Sequence, residues 1–152
     1  MKAFSNFDEF RRKEREFRAK VNQAVKDSVE EAARYAEAEA KRGASAITAS
    51  ANGKTYRAVA ADGGNHRRMI NAKAVNNGFT ARLNANADYA PYLEFGTGGL
   101  VDIPKGFEKL ASEFKGKGIR QINLPARPHI IPAAYKARDF LSSQIEKKIN
   151  DL

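Results

Sequence analysis

The sequence contains no cysteine. Disulfides, thiolate nucleophiles and zinc sites built on thiolates are thereby excluded. Its two histidines, His66 and His129, stand far apart, which argues against a histidine-based metal centre. No apolar run approaches the roughly 20 residues needed to cross a bilayer. The first residues, Met1 to Asn6, lead straight into charged side chains without an apolar stretch, so no signal peptide is expected. A soluble protein made inside a cell is the expectation, with no membrane, cofactor or metal. Gly-x-x-x-x-Gly-Lys-Ser/Thr, His-Glu-x-x-His and Gly-x-Ser-x-Gly are all missing. What remains is 152 residues, 42% hydrophobic: enough for one domain with a core, and too apolar for a disordered chain.

The net charge is +9. Residues 1–42 are nearly balanced, with 11 basic and 9 acidic side chains. The excess sits in two modest patches. One is Lys54, Arg57, Arg67, Arg68, Lys73 and Arg82 against Asp62 alone; the other is Lys115, Lys117, Arg120 and Arg127 with no acid. Phosphate binding needs such cations on one surface, but reading a nucleic acid also needs aromatics or a recognition helix. Only Tyr56 and Phe79 lie among the patches. A solvated surface, an acidic protein neighbour and passing DNA backbone all fit them.

Residues 6 to about 42 read as one helix. Proline is absent from this stretch, and the first glycine is Gly43, which suits a C-terminal stop. Phe7, Phe10, Phe17, Val21, Ala24/Val25, Ser28, Ala32 and Tyr35/Ala36 recur in steps of three and four on one face, interrupted by Glu14. Glu9/Lys13, Glu14/Arg18, Glu16/Lys20, Glu30/Arg34 and Glu37/Lys41 place an acid four residues before a base, at about 0.2–0.5 kcal/mol per pair.

A compact chain of this length has a diameter of roughly 35–40 Å. An unbroken helix of about 36 residues would run about 54 Å and overhang it. Phe7, Phe10 and Phe17 would then form an exposed apolar stripe, the kind that marks a partner surface. The other arrangement is a break near Glu14 or Ser28 that folds the first turns back onto the body.

Beyond Gly43 the pattern turns to alternation. Residues 47–51 and 54–60 flank Asn52-Gly53, a hairpin signal. Ile70–Val75 and Phe79–Ala85 flank Asn76-Asn77-Gly78, with Phe79, Ala81, Leu83 and Ala85 expected on the buried face. Two hairpins predict an antiparallel sheet of about four strands, covered by helices on its apolar face. Asp88 to Gly99 reads as a short helical turn, with Asp88 as its cap, ending in a glycine-rich loop. Residues 100–124 read as a flexible insert with a charged amphipathic piece near 105–115. Pro125 and Pro128 keep their surroundings extended, and His129-Ile130-Ile131 could pair as a strand. Pro132 opens a final helix to about Asn150, with Ala133, Ala137, Phe140/Leu141, Ile145 and Ile149 buried. The fold expected is α+β. A long N-terminal helix (1–43) joins a body (44–152) in one domain, with short helices in the motif and insert and the last helix packed on the sheet.

Few residues invite chemistry. Phe95-Gly96-Thr97-Gly98-Gly99 could cradle a phosphate, but it follows a helical turn, and a turn-forming role is favoured. Arg127 and His129 could form an acid–base and phosphate pair, yet a lone histidine beside proline is more often packed. Glu94, between Leu93 and Phe95, reads as a partly buried carboxylate paired with a base, first of all Arg127. Tyr89 and Tyr92 read as packing groups with polar tips.

One combination is more specific. Tyr89-Ala90-Pro91-Tyr92-Leu93-Glu94-Phe95-Gly96-Thr97 is followed by Ala126-Arg127-Pro128-His129, Pro132-Ala133 and a last helix. This resembles the neck or tail-completion family of tailed bacteriophages, whose pattern is similar to Tyr-Ala-x-Tyr-Val-Glu-Phe-Gly-Thr, then Ala-Arg-Pro-Phe and Pro-Ala. Leu93 and His129 stand where the family often has Val and Phe. The motif likeness covers roughly residues 79–150, and the first half is alike in architecture.

The resemblance implies a structural, non-enzymatic virion protein, assembled in the host cytoplasm. It would form a ring, often six-fold, between head-closure (connector) proteins and the tail terminator or tail tube, with DNA in the lumen. Tyr89, Tyr92, Glu94, Phe95, Gly96, Thr97, Arg127 and Pro128 would be its motif residues. Phe7, Phe10, Phe17 and Val21 are the expected subunit interface. Lys115, Lys117 and Arg120 are the candidates for contact with DNA or an acidic partner. The alternative is a small basic nucleic-acid-binding module; a small nuclease or toxin is a third and weaker reading.

Overall fold

Residues 3 to 45 form a single helix, α1 (Ala3–Ser45), 43 residues long. At 1.5 Å per residue it measures about 64 Å. The computed structural model describes residues 3–45, 49–51, 54–56, 64–96, 105–107, 109 and 126–152. Neither expected break point breaks the helix. Glu14 stays exposed and pairs with Arg18 at 2.7 Å, so no carboxylate is buried there. Ser28 is fully buried, but its hydroxyl donates to the Ala24 carbonyl at 2.7 Å, satisfying the polar atom within the helix.

Four short elements follow: β1 (Ala49–Ala51), β2 (Lys54–Tyr56), α2 (Asn65–Arg68) and β3 (Ile70–Val75). Then come β4 (Thr80–Ala85), α3 (Ala90–Phe95) and α4 (Ile130–Asn150). The four strands do not join into the expected sheet. Among the described residues, β1 pairs with β2 in a three-residue ladder, while β3 and β4 form a separate antiparallel pair. β3–β4 packs in the core. In its register Ile70 faces Ala85, Ala72 faces Leu83 and Ala74 faces Ala81. Asn76 and Asn77 both adopt φ of 53°, and Gly78 adopts 89°, the left-handed values a tight reversal requires. Leu83 and Ala85 pack on the core as expected, but Phe79 and Ala81 are exposed: the buried cluster lies toward Ile70, while at the turn end α1 contributes the Lys26 side chain, its Nζ 5.1 Å from the centre of the Phe79 ring.

α1 and α4 lie antiparallel. Lys136 reaches Glu39 at 2.7 Å, Tyr35 stacks on Phe140 at 4.6 Å, and Lys148 reaches Glu31 at 2.9 Å. Their facing surfaces are mostly alanine: Ala32, Ala33, Ala36 and Ala40 on one, Ala133 and Ala137 on the other, all buried. Small side chains let two helices approach closely, and helix pairs pack about 8–10 Å apart depending on the residues between them. Farther along α4, Phe140, Leu141 and Ile145 are half-buried and Ile149 is exposed, so the expected stripe thins toward the C-terminus.

Gly43 does not stop α1, which continues to Ser45. Its role is contact: a Cβ built there would lie 2.8 Å from the His129 Cβ. α1 also braces the sheet, since the Glu37 carboxylate accepts the Ala72 N–H at 2.8 Å. Bonding to Lys41, then the Ala72 N–H, holds the Glu37 carboxyl below the ordinary range. Bonding to Lys136, with the nearby Arg42 charge, does the same for Glu39.

Two outcomes follow. Helix propensity alone would make Gly43→Ala stabilising by about 1 kcal/mol. The His129 contact reverses the sign, and a loss of about 1–3 kcal/mol is expected in urea unfolding; an unchanged or raised midpoint would rule the close approach out. The second concerns acid. Both carboxyls are depressed in the folded state, so their contribution is fully present above the unfolded value of about 4.3 and is lost as pH falls through the folded values. Glu39→Gln should flatten the acid limb of a melting-temperature profile; superimposable limbs would remove Glu39 from the account.

Candidate functional site

α4 begins without a capping side chain of its own. His129 occupies the cap position and makes no side-chain cap bond. A helix start leaves four N–H groups without helical partners. Here those of His129, Ile130 and Ile131 all donate to Glu94, at 2.8, 3.0 and 2.8 Å. The fourth position is Pro132, which has no N–H. One carboxylate, at the end of α3, thus completes the start of α4. It also lies where the helix dipole favours negative charge. Ile130 and Ile131 are therefore helical, not a strand.

Glu94 does not pair with the Arg127 side chain. Its oxygens are taken by main-chain donors, and Oε2 lies 3.3 Å from Nδ1 of His129. Arg127 contributes its backbone instead: its N–H donates to the Leu93 carbonyl at 2.7 Å. This docks the extended 126–129 segment onto α3. The short helix α3 starts after Tyr89, not Asp88, carries Pro91 in its first turn and ends at Gly96 with φ of 70°. Phe95 is buried and packs on Ile131 with Phe107.

Beneath the cap lies a histidine pair. His66, from α2, and His129 approach Nε2 to Nε2 at 2.7 Å, and both are buried. Such a contact needs one proton between the two nitrogens. Nδ1 of His129 faces the Arg127 carbonyl at 3.0 Å, an acceptor only, so that nitrogen carries hydrogen and, in a neutral ring, Nε2 accepts from His66. The Tyr89 ring lies 5.6 Å from that of His66, tilted by 45°. With its side chain 1% exposed, His129 offers no face to a phosphodiester, which removes the residue on which an acid–base reading depended.

The motif residues thus gather into one structural joint. Glu94, Phe95 and Gly96 are buried, Tyr89, Tyr92 and Arg127 are half-buried, and Pro128 is exposed. Thr97, Lys115, Lys117 and Arg120 lie outside the described residues. The expected interface residues are elsewhere. Phe7, Phe10 and Phe17 are 53%, 63% and 54% exposed, and no residue from 6 to 23 of α1 is buried. Val21 is half-buried. Among the described residues, no group of three or more His, Cys, Asp or Glu could hold a metal ion, and no helix is long and apolar enough to cross a membrane.

Sequence reasoning missed the histidine pair and the identity of Glu94's partners. One signal was present: an acid between Leu93 and Phe95, and a helix start lacking Ser, Thr, Asn or Asp at its cap.

Glu94→Ala would leave three donors unmatched, two of them buried, so a loss of about 2–4 kcal/mol is expected. Glu94→Gln, which keeps one acceptor oxygen, should cost less. Arg127→Ala preserves the main-chain bond and should cost under about 1 kcal/mol. Chemical denaturation of the three variants checks the order. An Arg127→Ala loss as large as that of Glu94→Ala would restore the side-chain pair.

No curated protein and no solved structure matches the chain. Residues 8–96 match the family described as "Bacteriophage HK97-gp10, putative tail-component". The match runs from the projecting part of α1 through the β3–β4 hairpin to the end of α3, and includes Tyr89 to Gly96; Arg127 and Pro128 fall beyond it. With more than half of its length matched, the chain belongs to this family.

Proposed function

We propose that this chain is the neck or tail-completion subunit of a tailed phage, forming a ring, six-fold in the resemblance, that joins the head-closure complex to the tail tube around the DNA channel. Family membership supports a structural, tail-related role among other virion proteins. The observation that carries the finer reading is the projection of α1. About 20 residues, or about 30 Å of helix, extend past the last turn of α4 and present three phenylalanines to water. A fully buried aromatic contributes 150–250 Å² of covered surface. Phe7, Phe10 and Phe17 are each a little over half exposed, so covering them removes roughly 250–430 Å² from water, about a third to a half of one side of a standard interface of about 800 Å². A lone protomer has no use for such a surface; an assembly covers it with an adjoining chain. A ring further requires that each subunit offer two different patches, because its contacts are heterologous.

The nucleic-acid reading has one observation in its favour: Lys41, Arg67 and Arg68 line a common hollow. No aromatic side chain lines it among the described residues, so it could hold a phosphate backbone but not stack bases. It fits equally well a surface that passes near channel DNA.

Particles made without this protein are expected to accumulate as DNA-filled heads beside separate tails, visible by electron microscopy. Normal, infectious virions from the deletion would reject the joining role.

A further inference from the structure

The bare stripe has a spacing and a charge pattern that select its partner. Phe7, Phe10, Glu14, Phe17 and Val21 alternate steps of three and four, continuing through Ala24 and Ser28 into the surface that α4 covers. This is a seven-residue repeat, the seam of a helix that packs against another helix. α4 runs out where Lys20, Gln23 and Asp27 meet Lys148, Asp151 and Leu152. Beyond that cleft the same seam continues with nothing on it among the described residues. The positions flanking the seam from residue 7 to residue 21 are Arg11, Lys13, Arg18 and Lys20, all cationic. The acids Asp8, Glu9 and Glu16 lie on the outer face; only Glu14 is on the seam.

A second copy of the chain suits this seam poorly. In a parallel pair, cationic flanks would face cationic flanks and Glu14 would face Glu14, and like charges at these positions disfavour pairing. Among the described residues, a copy also offers the apolar-lined groove between β4 and α4. It carries Arg82 and Arg138 and no acid on its described lining, so it repeats the same sign. The pairs Lys13–Glu9 and Arg18–Glu14 do not cancel the flank charge, because they are exposed and weakly held.

We propose that the projecting half of α1 docks onto a helix of a different protein, one with apolar seam residues, Asp or Glu at its flanking positions, and a Lys or Arg opposite Glu14. This rests on the assembly reading above and names the partner of the same surface. Such a helix would lie end to end with α4 and extend the α1–α4 pair beyond the body. The contacts between like copies in the ring would then fall on other surfaces.

Two experiments test the assignment. In the first, Phe17 is replaced by the photoreactive analogue p-benzoylphenylalanine in phage particles, and the crosslinked product is mapped by mass spectrometry. The expected product joins position 17 to an acid-flanked helical segment of another virion protein. A crosslink to a second copy, to a segment without acidic flanks, or to nothing in particles that contain the chain overturns the inference while leaving the assembly role standing. Absence of the chain from particles removes both. In the second, the full-length wild type is mixed with the full-length variant Arg11→Glu, Lys13→Glu, Glu14→Lys, Arg18→Glu, Lys20→Glu. All five positions are exposed; Lys20 lies at the edge of the cleft where α4 ends, so the thermal melt of the variant is compared with that of the wild type to establish that the body folds. Sedimentation should show mixed association at least tenfold tighter than self-association of either protein, weakening as salt is raised. Wild-type self-association through the stripe at comparable strength would overturn it.

Discussion

Three main-chain N–H groups converge on one carboxylate, and the rest of the molecule is arranged around that meeting. A buried helix start without partners for its first donors would be costly, because each unmatched polar group forfeits its hydration. Glu94 supplies all the acceptors that α4 needs, and Pro132 removes the one donor left over. This fixes the end of α3 against the beginning of α4. It also seats His129 on His66 and on Gly43, drawing α2 and the last turns of α1 into the same joint. A carboxylate used in this way is a structural component, and its burial gives no ground for reading it as an acid or base in catalysis.

From that joint the two long helices run antiparallel, and their alanine faces turn close approach into stability. The arrangement has a geometric consequence. α4 has 21 residues and α1 has 43, and they are aligned at the end where α1 finishes. The surplus of α1 therefore projects from one end only. Ion pairs between residues four apart stabilise the projecting part without needing a partner. Nucleating an isolated helix is unfavourable, but here the first turns merely extend a helix already held by packing.

What could be read from the sequence divides along the range of the interactions. The long helix, the Asn76-Asn77-Gly78 reversal and the α4 segment are set by neighbours in the chain, and their residues announce them. The exposure of Phe7, Phe10 and Phe17 followed from length against diameter. Gly43 was misleading, because a glycine that ends a helix and one that admits a neighbouring backbone look alike until the neighbour is known. The partners of Glu94 were hidden for another reason. They lie 35 to 37 residues away and are main-chain atoms, which carry no residue identity. The four-stranded sheet failed because alternation specifies strands but not which strands adjoin. Nothing in residues 49–56 directed that hairpin toward β3 rather than away from it.

The separation of joint and stripe bears on how such a subunit can work. Binding is weakened by whatever must be ordered when it happens. A stripe on a loose segment would lose backbone entropy on docking, at about 1–2 kcal/mol per residue fixed. A stripe on a helix already continuous with the body avoids most of that cost and retains mainly the ordering of side chains. The alanine interface and the Glu94 joint therefore act at a distance. They hold the base of the rod, so that in the docking proposed above the aromatic face would point the same way before and after the partner binds. Stability in the body and competence of the stripe are thus linked through one uninterrupted helix, although no side chain is shared between the Glu94 joint and the stripe.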